Sequence, residues 1–417
     1  MSHLLQLLLL IGVMIASAKL AGAASNRLGQ PAVFGELLVG LVLGPTALNL
    51  LGWPAFGGTG GSTLLPVVRD LSEIGVILLM FIAGLETDLG ELRRVGHVAF
   101  WAAAGGVVLP LAAGAGVAVA FGMPLFWEGI FIGTILTATS VSITAQTLME
   151  IGALRSREGT VILGAAVIDD VMGIVVLSLV VAFARTEGGV DPLTLALVFG
   201  RMVAYFTLAV LAGTAFEAIA RRAQMLGVSQ GLLGIVLVVV FLYAWAAEFV
   251  GGVAAITGAY LAGVLFSRTS FKSRIDAGIH PLTYSMLVPV FFVGIGLQAN
   301  GRQLGGHVAF TLAVVVVAIA TKVIGCGVAA RLLGFGKTEA LRVGVGMISR
   351  GEVGLIVASY GLAHQIIGVD VFSASVIVVL ATTVVTPPLL RLTFPRGPRP
   401  LQRVVEETVA GPPEETA

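Results

Sequence analysis

The chain has 417 residues, of which 57% are hydrophobic and only 11% charged, with a formal net charge of +1 and a mean hydropathy of +1.02. A soluble globular protein carries about 25% charged residues, so an ordinary soluble domain is excluded, and a near-neutral chain without a basic block gives no footing for nucleic-acid binding. The single cysteine, Cys326, rules out a disulfide framework or a cysteine-rich metal site within one chain.

Apolar runs separated by polar or Gly/Pro punctuation predict an all-α polytopic membrane protein of about thirteen spans. They fall near 3–24, 31–50, 68–88, 96–121, 125–150, 156–184, 193–220, 228–250, 252–267, 280–299, 307–333, 337–364 and 370–394. Ala21-Gly22-Ala23 has the small residues of a signal-peptide cleavage site, but no Lys or Arg precedes Leu4, and a signal peptide needs a basic start. The run therefore reads as a first span with the N-terminus outside. Arg155, Arg157, Arg221, Arg222, Arg268, Lys272 and Arg274 then fall on the inner side, in keeping with the bias of Lys and Arg toward cytoplasmic loops. The transmembrane unit covers 1–395, and the Pro- and Glu-rich stretch 396–417 reads as a disordered cytoplasmic tail.

Several runs contain polar residues that lipid does not favour. Glu36 sits in the second span, where it would line a vestibule or take a structural partner. In the fifth, Thr137, Thr139 and Ser140 crowd hydroxyls into the stretch Thr137–Ser142. Such hydroxyls either mark a break that exposes backbone carbonyls or bond back to the preceding turn. The twelfth is interrupted by Ile348–Gly354, with Arg350 and Glu352. Those two charges most simply compensate charge and helix dipoles at a helix break. The five histidines fall near span ends, so no metal site is expected beyond a transported ion.

An internal repeat relates the halves, approximately 3–184 and 228–394. Gly35–Gly44 (GELLVGLVLG) is similar to Gly258–Ser267 (GAYLAGVLFS), and Phe81–Leu89 (FIAGLETDL) to Val293–Gly301 (VGIGLQANG). The same offset pairs spans five and twelve. The repeats begin an odd number of spans apart, so they have opposite orientations. Inverted repeats with paired broken helices are a signature of secondary transporters, whose ion site lies near the midplane.

Asp169-Asp170 occupies the middle of the sixth span. A carboxylate at that depth costs roughly 2.5–3.5 kcal/mol on insertion scales and survives where it faces a bundle interior or aqueous cavity. There it can hold a proton or a dehydrated cation, the minimum that exchange requires. Adjacent helical positions point about 100° apart, so the pair cannot close on one ion unaided. One acid would face the cavity and the other a partner. Lys322, deep in the eleventh span, is the natural candidate, either as a permanent counter-charge or as one that lets go when a cation arrives.

The stretches GELLVGLVLGP at 35–45, FIAGLETDL at 81–89, TATSVSITAQTL at 137–148, VIDDVMGI at 167–174, TKVIG at 321–325, SRGEVGL at 349–355 and TTVVTPPLL at 382–390 resemble the bacterial monovalent cation:proton antiporter-2 family, in its sodium/proton branch. The resemblance implies thirteen helices, a homodimerisation scaffold and a mobile core with two crossed discontinuous helices. It implies Asp170 as the shared cation/proton site and Asp169–Lys322 as a coupled pair. The expected activity is electrogenic sodium (or lithium)/proton antiport by elevator-like alternating access in the inner membrane, without enzyme chemistry or cofactor. Potassium/proton exchange is the alternative, and the short tail argues mildly against it because potassium-efflux relatives often add a cytosolic regulatory domain. Ser349 departs from the proline that many relatives carry there. An intramembrane aspartyl protease would need acids on facing helices, and a passive channel would not need inverted repeats.

Overall fold

In lipid the backbone must satisfy its own polar groups, which leaves helices or closed barrels, and apolar runs of about 20 residues suit helices. The computed structural model describes residues 2–45, 47–56, 63–87, 89–185, 192–225, 227–298, 308–363 and 365–394, and among them there is no strand. The stretch 396–417 lies outside the described residues. The first half contains α1 (His3–Arg27), α2 (Ala32–Leu43), α3 (Leu64–Glu86), α4 (Leu89–Ala120), α5 (Ile130–Thr137), α6 (Val141–Glu150) and α7 (Arg157–Arg185). Then come α8 (Pro192–Gly213), α9 (Phe216–Gln224), α10 (Gly231–Ala246), α11 (Ala255–Phe266), α12 (Lys272–Leu282) and α13 (Val288–Gln298). The chain finishes with α14 (Val308–Leu332), α15 (Lys337–Gly346), α16 (Glu352–Ala363) and α17 (Val369–Thr393).

Among the described residues, eight helical segments are long and apolar enough to cross a membrane, or nine if the bent pair α8–α9 is one span. The chain is thus an all-helical, multi-pass membrane protein. This count is coarser than thirteen because α2 and α11 have only 12 residues each, α3 carries Arg69, Asp70 and Glu73 in its first half, and α15 and α16 are separated by the break at Met347–Gly351. The seventh expected span is not straight. It bends by 48° between α8 and α9, and α9 is amphipathic, with Glu217 accepting hydrogen bonds from the Ser270 amide and hydroxyl. α12 continues into α13 through a π-turn at Thr283–Leu287. Pro281 lies just before it; a proline removes one amide donor and crowds the preceding turn, which a wider turn relieves.

The helices pack as two groups. α4, α5, α7, α14, α15, α16 and α17 form one, and α1, α2, α3, α10, α11, α12 and α13 the other. The seam between them runs along α2, α3 and α8 on one side and α6, α7 and α17 on the other. Within the second group, the motifs that relate the two halves pack crosswise. α2 meets α13 at Gly40 and Gly296, and α3 meets α11 at Gly84 and Gly263, so closely that a Cβ at any of these would overlap the facing backbone. Small residues permit this approach, which membrane helices use for dispersion contacts in place of a hydrophobic drive.

Candidate functional site

Two interrupted helices meet at their breaks. Between α5 and α6 the backbone is extended at Ala138 (φ −57°, ψ 137°) and Ser140 (φ −100°, ψ 109°). The second break spans Met347–Gly351, between α15 and α16. The Ser140 amide donates to the Ser349 carbonyl at 2.7 Å, and the Ser349 hydroxyl donates back to the Ser140 carbonyl at 2.5 Å. Thr144 Oγ1 donates to the Gly346 carbonyl at 2.7 Å. Ser349 therefore makes a side-chain bond that a proline at this position could not make.

Interrupting a helix leaves orphan carbonyls at a negative dipole end, and Arg350 answers that charge. Its guanidinium, wholly buried, donates from Nη2 to the carbonyls of Leu136 in the last turn of α5 (2.8 Å) and Ala318 of α14 (3.1 Å). Nη1 donates to the Ile348 carbonyl at 3.0 Å. The Arg350 carbonyl in turn accepts from Thr383 Oγ1 of α17. The Glu352 side chain lies outside the described residues, although its backbone opens α16. Thr137 bonds back to the Thr134 carbonyl at 2.8 Å, a local use of its hydroxyl. Ser140 Oγ lies 3.1 Å from Ser142 Oγ.

α7 passes beside these breaks and carries the two acids. They part in direction, as consecutive helical positions must. Asp169, 2% exposed, accepts from Lys322 Nζ of α14 at 3.1 Å, with both side chains sealed from solvent. Thr139 Oγ1 faces Asp169. Asp170 turns to the other group of helices, where Thr257 Oγ1 of α11 donates to its Oδ2 at 2.7 Å. Asp169, Asp170, Lys322, Thr139, Ser140 and Arg350 are therefore neighbours at one place in the fold.

Residues that sequence reasoning did not single out also shape the region. Thr257 is one. Gly106 of α4 is another, because a Cβ there would collide with Cys326 Sγ and stand 3.4 Å from Lys322 Nζ. A third is Glu150 at the end of α6, which accepts from the amides of Ala32 (2.5 Å) and Val33 (3.3 Å) at the start of α2. A carboxylate at a helix N-terminus satisfies orphan donors and the positive dipole end. Glu36, 6% exposed, lies one turn further along α2. Glu150 offered a weak signal, an acid closing an apolar helix, but its partner is remote in sequence.

Comparison with known proteins fits this arrangement. The chain is 42% identical over 385 residues to the Na(+)/H(+)-K(+) antiporter GerN of Bacillus cereus, covering 92% of this chain and 95% of that one. It is 35% identical over 382 residues to a Na(+)/H(+) antiporter of Enterococcus hirae, covering 91% and 96%. The solved sodium proton antiporter MjNhaP1 of Methanocaldococcus jannaschii superposes with a TM-score of 0.67 over 98% of both chains at 18% identity, a likeness of fold. Residues 13–394 match the family described as sodium/hydrogen exchanger, transmembrane. With that match over most of its length, the chain belongs to the transmembrane sodium/hydrogen exchanger family.

Proposed function

We propose that the chain exchanges sodium or lithium for protons across a bacterial inner membrane, with Asp170 holding either passenger in turn. The observation that carries this reading is the parting of the two adjacent acids. Asp169 is matched by Lys322 within its own group of helices, while Asp170 faces the seam between the groups. A carboxylate there offers the same oxygens to a proton or a dehydrated cation, so the two compete for one place. The relatives above, sodium/proton antiporters, point the same way.

In this reading the group containing α7 and the two interrupted helices moves against the other, carrying Asp170 from one side to the other. Arg350 keeps the orphan carbonyls neutral throughout, so that the charge that changes is at the acids. Arrival of a cation loosens Lys322 from Asp169, and more than one proton moves per cation, which makes exchange electrogenic. The finer architecture belongs to the same proposal: thirteen spans in inverted repeats, two discontinuous helices that cross, a homodimer, the N-terminus outside and the C-terminus inside.

Potassium is a second candidate substrate, favoured by the likeness to GerN, a Na(+)/H(+)-K(+) antiporter. One assay separates the readings. In proteoliposomes with a preset pH gradient and clamped potential, sodium or lithium pulses are expected to collapse the gradient and potassium to do so more weakly. A potassium response larger than the sodium response would favour the second reading. Responses no greater than in protein-free vesicles for all three ions would overturn both.

A further inference from the structure

We propose that Thr257 is a positioning residue that latches the empty, ionised Asp170 to the opposite group of helices and competes with the incoming cation. The proposal rests on the reading of Asp170 given above. It starts from an unusual use of a hydroxyl. Within helices, threonine normally bonds back to the carbonyl one turn earlier, as Thr87, Thr134, Thr147, Thr283, Thr321 and Thr386 do here. Thr257 does otherwise. It lies in the first turn of α11, directly after the left-handed Gly252 (φ 69°) and the extended Ala254. With the preceding turn missing, its hydroxyl points away from α11 and donates to Asp170 Oδ2 across the seam.

The site is buried and the bond bridges elements that otherwise touch little. Thr257 is 2% exposed and Asp170 9%. α7 and α11 belong to different helix groups, so the bond joins the acid to the surface past which it would have to travel. A hydrogen bond to a charged acceptor shifts an equilibrium by roughly ten- to a hundredfold. It favours the bare carboxylate over a carboxylate whose oxygen is taken by a proton or cation. Loading Asp170 therefore costs the latch, and breaking the latch frees the helix group to move. An exchanger needs such a rule, because movement of the empty carrier would let sodium run downhill without a returning proton.

The test uses the full-length protein in proteoliposomes at clamped potential. Thr257→Val keeps the shape and removes the hydroxyl; Thr257→Ser keeps the hydroxyl; Asp170→Asn runs in parallel. Sodium KM and kcat are read separately, together with any sodium flux that is not matched by proton counter-movement, from sodium and pH recorded in parallel. The latch predicts that Thr257→Val lowers the sodium KM by about tenfold and opens a sodium flux uncoupled from protons, while Thr257→Ser stays near the parent in both. If the valine variant elutes as aggregate, Thr257→Ala takes its place with the same expectation. A raised KM would make the hydroxyl a cation ligand and overturn the latch, as would unchanged KM and flux. Exchange surviving in Asp170→Asn would instead remove the underlying reading, so the two failures are told apart.

Discussion

Asp170→Asn is expected to reduce sodium- and lithium-driven proton movement to the level of protein-free vesicles. The substitution is nearly isosteric, and the amide oxygen can still accept from Thr257 Oγ1, so the hydrogen bond made at Asp170 Oδ2 can persist. What disappears is one negative charge and one exchangeable proton. A unit charge about 4 Å from a cation contributes roughly 4 kcal/mol at the effective screening of protein sites, or about a thousandfold in affinity. An amide also takes up and releases no proton in the working range, so even a bound cation would have no proton to displace. Initial rates in proteoliposomes check this, with the melting temperature of the variant as control for folding. A variant that melts like the parent and exchanges at the parent rate would remove Asp170 from the mechanism.

Lys322→Ala is expected to have the largest effect on stability. The lysine and Asp169 are both sealed from solvent and 3.1 Å apart, and removing one partner of such a pair costs about 3–5 kcal/mol because the other charge is left buried. Arg350 lies near Asp169 but its guanidinium is directed to the carbonyls of Leu136, Ala318 and Ile348, and the Thr139 hydroxyl that faces Asp169 carries no charge. The signature is in the double variant. Lys322→Ala with Asp169→Asn is expected to melt above Lys322→Ala alone, since no unpaired charge remains. Thermal unfolding in detergent reads this directly, and equal melting temperatures for the single and double variants would show that the pair carries no such charge. In transport, the single variant is expected to lose the parent's voltage response. An unchanged response would leave Asp169–Lys322 as a structural pair.

Much of this was legible in the chain because lipid makes polarity conspicuous. Asp169, Asp170 and Lys322 stand out in apolar runs, and the angular step of a helix alone implies that neighbouring acids face different partners. The hydroxyl-rich Thr137–Ser142 and the charged Ile348–Gly354 marked the places where α5 and α15 stop. That these stops bond to one another through Ser140 and Ser349 was visible only as an offset between weak repeats. Thr257 was not legible at all. A threonine near the start of an apolar run most often serves its own helix, and its link to Asp170 bridges remote stretches that only packing brings together. The bend after Gly213 was missed for a related reason. Hydropathy runs smoothly from α8 toward α9, while the turn is set by contacts such as Gly213 against Leu265 and Glu217 with Ser270.

The dependence of the sodium KM on pH, measured in proteoliposomes with both faces at the same pH, tests most directly whether a single carboxylate serves both passengers. If hydrogen ion and metal ion exclude one another there, KM rises on the acidic side by about tenfold per pH unit while the maximal rate at saturating sodium holds steady, as mass action demands of rivals for one site. A KM indifferent to pH, with only the maximal rate falling, would mean that the two ions bind apart.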